Sequence, residues 1–305
     1  MNKKLKMFVI VCICLIVAGT CLAGIGLLLG ATGNIELNHI FWNLGDNHAS
    51  INVGTASTES QATLSGERIT DSVEINQPVN VIKTKVGLGD IKMIESDQFK
   101  VVYTYDKGIG KPDINIADGI LTIADKFSKE DVNIQVKKWS SLKNNKGLEY
   151  KIYYPKGTKV KLIEMDNNLG EIDIFGVETE TLKLDLDVGD IKLTDVIANN
   201  ADIDSSLGDI KTQNIQTGTL KLDLDAGDID VEGSLKGENR FNTDMGDIKV
   251  QTTLEKDKYA LKLNATLGDI TVNGDEVEGT CQVNNNSENN IEAQTSAGDI
   301  KLKFQ

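Results

Sequence analysis

Residues 183–196 read KLDLDVGDIKLTDV, and residues 221–233 read KLDLDAGDIDVEG, with DIDSSLGDIKTQN (202–214) between them. A glycine, an acid and an isoleucine recur in that order at Gly89, Gly170, Gly189, Gly208, Gly227, Gly246, Gly268 and Gly298. The interval is constant from Gly170 through Gly189, Gly208 and Gly227 to Gly246, then lengthens slightly before Gly268 and further before Gly298. A fixed period of about 20 residues signals a stacked repeat.

Within one period apolar and polar residues alternate. Leu182, Leu184, Leu186 and Val188 take one side, and Lys183, Asp185 and Asp187 the other. This is the period-two pattern of a half-buried strand. The phase does not carry through the glycine. With Val188 inward, Asp190 would be inward too, yet the apolar residue is Ile191. Gly-Asp therefore marks a corner or bulge, where glycine's free backbone is useful. Each unit reads as strand, corner, strand and return turn. The expected fold is all-β: a β-solenoid-like stack of ~19-residue two-strand coils, parallel and in register. Two interior columns support it. One runs Met165, Leu184, Ile203, Leu222, Phe241, Leu263; the other runs Ile172, Ile191, Ile210, Ile229, Ile248, Ile270, Ile300.

The stack occupies 166–305. Residues 67–165 carry less regular strands, among them VIKTKVGLGDIKMI (81–94) and LEYKIYYPKG (148–157), and read as the start and cap of the stack. Ahead of it, the run Met7–Gly30 carries no charge; Lys3, Lys4 and Lys6 precede it, and no further Lys or Arg appears until Arg68. About 20 apolar residues span a bilayer. We expect a transmembrane helix at 7–30, a cytoplasmic tail at 1–6, a juxtamembrane segment and linker at 31–66, and an extracytoplasmic remainder, by the positive-inside rule. A cleaved signal peptide and a lipoprotein site at Cys21 are the alternatives, against which the length of the run and Thr20 argue.

The net charge of −14 disfavours nucleic acid, whose phosphates need a clustered positive face. It favours cations, basic peptides or polybasic surfaces. Of the four cysteines, three (Cys12, Cys14, Cys21) lie in the apolar run, and Cys281 stands alone in the remainder. No intramolecular disulfide or zinc cluster can form outside the run. The histidines are His39 and His48 alone, near the expected membrane segment, so a Ser-His-Asp arrangement on the repeats is absent. Paired carboxylates abound, but a catalytic pair should occur once and break a repeat. A polysaccharide-cleaving enzyme is the least favoured reading.

The acids form columns. Four residues before each glycine stand Asp166, Asp185, Asp204 and Asp223, then Asn242, Asn264 and Gln294. Two before stand Asp187, Asp225 and Asp244 among Asn, Ser and Thr. Six before, Glu164, Lys183, Asp202, Lys221, Arg240 and Lys262 mix signs. Unit charges ~5 Å apart repel by roughly 0.8 kcal/mol even in water. One reading is a solubilising face that blocks edge pairing. The other is that Asp185, Asp187, Asp204, Asp223 and Asp225 collect Ca²⁺, whose ligands are hard oxygens. No other cofactor is implied. The corner acids, from Glu171 to Asp299, are expected to be compensated by the lysines two residues on or hydrogen-bonded to turn amides.

The lead-in KIYYPKGTKVKLIEMDNNLGEIDI (151–174) and the serial L-x-L-x-x-GDI units resemble the bacterial putative-adhesin family of β-strand-repeat domains, over about 71–304. The resemblance implies an envelope-located, non-enzymatic domain, often joined to membrane segments and sometimes associated with envelope-stress signalling. It brings no catalytic or binding residues. The functional expectation is a membrane-anchored, extracytoplasmic interaction module for an envelope polymer, cationic peptide or protein. A Ca²⁺-binding acidic module and a stress-sensing component are the alternatives.

Overall fold

A computed structural model describes residues 67–126, 148–283 and 287–305, together with the backbone of two short paired strands at 53–55 and 58–60. The expected membrane helix at 7–30, its tail and most of the juxtamembrane segment lie outside these residues. Among the described residues no helix is long and apolar enough to cross a membrane.

The quoted stretch forms one coil. Strand Glu178–Val188 buries Leu182, Leu184 and Leu186 and exposes Lys183, Asp185 and Asp187. The corner follows at Gly189–Asp190, and strand Ile191–Thr194 then buries Ile191 and Leu193. Asp195 turns the chain in the left-handed region, at φ 54°. Equivalent positions hold Gly176 and Asn214, also left-handed, and these residue types tolerate that conformation best. A third bend lies where the sequence reading put a single long strand. Asn199 and Asn200 are both exposed between buried Ala198 and Ala201, and the strand pairing skips Glu180 and Asn199. The expected two-strand coil is therefore three-sided. Each bend is a place where two neighbouring residues point outward and the alternation resets.

Coils stack parallel and in register, as expected. Leu184 pairs with Met165 on one side and Ile203 on the other, and Ile191 with Ile172 and Ile210. A coil alone would leave these side chains in water; stacking buries them. Each buried Leu or Ile contributes about 1.5–3 kcal/mol relative to exposure.

The order of the last two coils differs from the sequence reading. The strand before Gly246 (Ile229–Met245) pairs with Asn289–Ala297, not with Tyr259–Leu267. Tyr259–Leu267 pairs with the far side of Asn289–Ala297. The Gly298 coil thus lies between the Gly246 and Gly268 coils. The interior columns run Phe241–Ala293–Leu263 and Ile248–Ile300–Ile270. At the other end the Gly89 coil stacks on the Gly170 coil through Val81–Val86 and Asp90–Ser96. The expected division at 165/166 falls inside strand Lys159–Leu169, which pairs on both edges within one continuous 21-stranded sheet.

Both ends of the parallel stack are closed by antiparallel strands. Beyond the Gly89 coil come Ile120–Ala124 and Glu149–Pro155, parallel to it. These carry the antiparallel strands Asp113–Ala117 and Lys100–Asp106, and Arg68–Glu74 lies outside the latter. At the other end Thr280–Val283 and Asp275–Val277 run antiparallel on the Gly268 coil. Short covering strands of this kind blunt an edge that would otherwise template pairing with another chain.

Candidate functional site

The Gly-Asp corner explains the most constant residues of the repeat. A Cβ on Gly208 would lie 1.9 Å from the carbonyl oxygen of Gly189, and one on Gly227 equally close to Gly208. Both have φ between 135° and 141°, a region side-chain-bearing residues rarely adopt. Glycine is required twice over, by the dihedral and by the contact between coils. The acid that follows binds the next coil. Asp190 Oδ1 accepts the backbone N–H of Asp209 at 2.9 Å, Asp209 that of Asp228 at 2.9 Å, and Asp228 that of Asp247 at 2.8 Å. The ladder then follows the spatial order: Asp247 accepts from Asp299 at 2.8 Å, and Asp299 from Asp269 at 2.9 Å. Below it, Asp90 accepts from Glu171 at 3.0 Å. The longer side chain of Glu171 makes no such bond to Asp190. The expectation of hydrogen bonds to turn amides holds, with the amide supplied by the next coil.

The acidic columns lie where the repeat put them, with additions. Four residues before the glycines the spatial column is Lys85, Asp166, Asp185, Asp204, Asp223, Asn242. At one end Lys85 Nζ lies 3.9 Å from Asp166, and at the other Asn242 donates a hydrogen bond to Asp223 at 2.5 Å. Partial burial, and behind it neighbouring carboxylates, hold Asp166, Asp185 and Asp204 above the usual aspartate range. Asp187 and Asp225 lie two coils apart on the same face, with Ser206 between. The five residues read as calcium ligands are thus strung along the stack, one or two per coil. Among the described residues no group of three or more His, Cys, Asp or Glu is arranged to hold a metal ion.

Six residues before the glycines the charges alternate from Lys83 to Lys221, and again from Arg240 through Glu292 to Lys262, with Lys221 and Arg240 side by side between the two runs. Lys83 pairs with Glu164 at 2.6 Å, and Lys221 with Asp202 at 3.3 Å. Glu292 sits between Arg240 and Lys262 and bonds both, at 2.9 and 2.5 Å. The sequence reading stacked those two cations directly and left Glu292 out. The signal was present, because Glu292 is also six residues before its glycine. On the opposite side of the corner, three residues after the glycines, Lys192, Lys211, Lys249 and Lys301 outnumber Asp173 and Asp230. The two faces meeting at the corner differ in sign.

Between them runs a column the sequence reading pointed inward: the residue immediately before each glycine. The corner begins at this residue, so its side chain turns outward. Every member is apolar. Leu88 and Leu169 are buried near one end, but Leu207, Met245 and Leu267 are 51%, 62% and 51% exposed. Ala226 and Ala297 alternate with them, since Leu207 pairs with Ala226, Ala226 with Met245, Met245 with Ala297, and Ala297 with Leu267.

Two open grooves lie elsewhere. One of about 620 Å³ is lined by Glu74, Pro78, Asn80, Phe99 and Lys159, and one of about 480 Å³ by Lys249, Lys301, Lys303 and Phe304. Cys281 is buried opposite Leu263 and is a free thiol, in keeping with a small packed residue.

No curated protein matches the chain. Among solved structures it is similar to a putative adhesin from Bacteroides fragilis (15% identity, TM-score 0.41, covering 79% of this chain and 99% of that one). It is also similar to a putative lipid binding protein from Parabacteroides distasonis (16% identity, TM-score 0.46, covering 79% and 98%). A third likeness is to a putative cell adhesion protein from Clostridium sporogenes (17% identity, TM-score 0.35, covering 78% and 99%). Superpositions this loose carry no functional argument. The residue-level match is firmer: the family described as Toastrack DUF4097 spans residues 79–280, more than half of the chain, and the chain belongs to that family.

Proposed function

We propose that this chain is a membrane-anchored, extracytoplasmic interaction module that works by presenting the outer surface of its β-stack to a partner in the cell envelope, without catalysis. The uncharged run Met7–Gly30, with lysines on its N-terminal side only, supports the anchor and the orientation. One observation carries the binding role. The outward residues recur at one-strand spacing from corner to corner, as parallel columns of acid, base and exposed apolar side chains. Such a surface suits an elongated partner that makes the same contact many times. A catalytic site needs a unique constellation, and repetition is its opposite.

The test is co-sedimentation of the purified full-length chain with isolated envelope material, read together with the chain length of the envelope polymers before and after. Saturable binding with unchanged polymer length is expected. Progressive shortening of a polymer by the wild-type chain, lost in a variant of one carboxylate pair, would replace the module with an enzyme. Absence of binding to any envelope fraction would end the interaction reading.

A further inference from the structure

The apolar corner column is unlike the rest of the surface. Three large aliphatic side chains stand more than half exposed in one line, and an exposed apolar stripe rimmed by polar groups marks an interaction site. The line is notched: Ala226 separates Leu207 from Met245, and Ala297 separates Met245 from Leu267. With strands about 4.8 Å apart, each large residue is about 9.6 Å from the next, and so are the two alanine notches. Seven residues of an α-helix advance about 10.5 Å. The spacing therefore fits side chains seven apart on one helix face.

The flanks select the charge of that helix. Asp225 and Asp244 lie on one side; on the other lie the corner aspartates, of which Asp247 and Asp299 are paired with Lys301, while Asp209, Asp228 and Asp269 outnumber Lys211 and Lys249 beyond them. A second copy turned end for end would bring the same acids against each other, and one turned about the line of the ridge would set each large side chain on its own counterpart instead of on a notch. An anionic lipid surface would be repelled likewise, and a glycan would find no aromatic platform on the line. We propose that the corner column is a docking ridge for a basic amphipathic helix. Aliphatic side chains seven residues apart seat over Ala226 and Ala297, and flanking lysine or arginine side chains meet the acids on either side. This names the partner class of the interaction module proposed above and rests on that reading.

The full-length chain in zwitterionic lipid nanodiscs is titrated against a fluorescent 18-residue Leu/Lys amphipathic helix, with empty nanodiscs subtracted. A peptide of the same composition, shuffled so that no apolar face forms, serves as control. Saturable binding at least tenfold tighter for the ordered peptide is expected. Joint replacement Leu207→Ser, Met245→Ser and Leu267→Ser should weaken it at least tenfold with little change in melting temperature, since these side chains are exposed. Asp225→Asn with Asp244→Asn should flatten its salt dependence. Equal affinity of the triple-serine variant, equal affinity of the shuffled peptide, or no saturable binding by the wild-type chain would each overturn the ridge. Envelope co-sedimentation of the same samples separates the two failures. Envelope binding without peptide binding removes the ridge alone, and loss of both removes the interaction module as well.

Discussion

The coils from Gly170 to Gly246 and the two that follow share one corner but are assembled differently. In the first group each coil lies on its predecessor in sequence, and the pairing offset is constant apart from a one-residue slip where Ile215–Thr217 meets Gly233–Leu235. In the second group the later coil slides between two earlier ones, and the corner ladder passes from Asp247 to Asp299 to Asp269. The central coils are held by what they have in common: the glycine contact, the aspartate bond and the aliphatic columns. The end coils use the same parts, but their order is chosen by contacts that occur once. Glu292 between Arg240 and Lys262 is the clearest, because the sequential order would extend the neighbouring pair Lys221 and Arg240 to three stacked cations, each about 4.8 Å from the next. Identity thus gives a repeat its register, and departures from identity give it its order.

The largest predicted effect strikes the shared part. Gly208→Ala puts a methyl group into the Gly189 carbonyl at a strained dihedral, and should cost more than about 4 kcal/mol or abolish folding. Gly274→Ala, at φ 92° with open space around it, should cost only about 1–2 kcal/mol. Denaturant unfolding of the two variants makes the comparison, and equal losses would deny the corner contact its role.

Next comes the device that orders the end. Glu292→Lys would complete a row of four cations with Lys221, Arg240 and Lys262 and should cost about 2 kcal/mol. Hydrogen exchange should show the loss of protection concentrated in Asn289–Ala297 and its neighbours, leaving Glu178–Val188 unchanged. Loss spread evenly over all coils would mean that the order of the end is set elsewhere.

A smaller effect separates centre from ends by pH. The carboxyls of Asp166, Asp185 and Asp204 have raised values in the folded chain, so their ionisation opposes folding, and the penalty is relieved as pH falls through those values. At the capping strand, hydrogen bonds from Lys111, the Ser72 amide and Tyr103 lower Asp71 to about 2. The stability contributed there is complete above the ordinary aspartate value and is lost as pH falls towards about 2. At neutral pH, Asp204→Asn should therefore stabilise by about 0.5 kcal/mol and Asp71→Asn should destabilise. Both differences should vanish in strong acid, as paired melting curves across pH will show. A destabilising Asp204→Asn at neutral pH would contradict the penalty assigned to burial and to the neighbouring carboxylates.

The smallest effect expected is that of calcium. Ca²⁺ takes six to eight oxygens converging at about 2.3–2.6 Å. The acidic columns supply one carboxylate per coil along a line, and the corner carboxylates already hold backbone amides. Millimolar calcium should raise the melting temperature no more than sodium at matched ionic strength. A calcium-specific rise, lost in Asp204→Asn, would restore the metal reading of the central face.

Most of the central stack was legible in the residues alone. Period-two alternation interrupted at Gly-Asp is a local property, and it fixed strand, corner, parallel register and the interior columns through Ile248. The corner acids were legible as bonded to turn amides for the same reason, since each repeats its neighbour's environment. The third bend was harder to read. Two adjacent outward residues such as Asn199 and Asn200 resemble any polar step in a strand until burial is seen. Met245 and its column were misplaced because alternation extends naturally to the residue before the glycine, whereas the corner has already begun there.

By itself, the sequence determined most of the unit: the interior columns of its two main strands, the Gly-Asp corner between them, and the need for glycine's free backbone there. Only the tertiary structure decided which unit lies on which, and so which charges and apolar side chains share a surface. Register follows from a period that every coil carries. Stacking order depends on single contacts between residues tens of positions apart, such as Glu292 with Arg240; the repeat places Glu292 in its column, but no local pattern records which coils lie on either side of it.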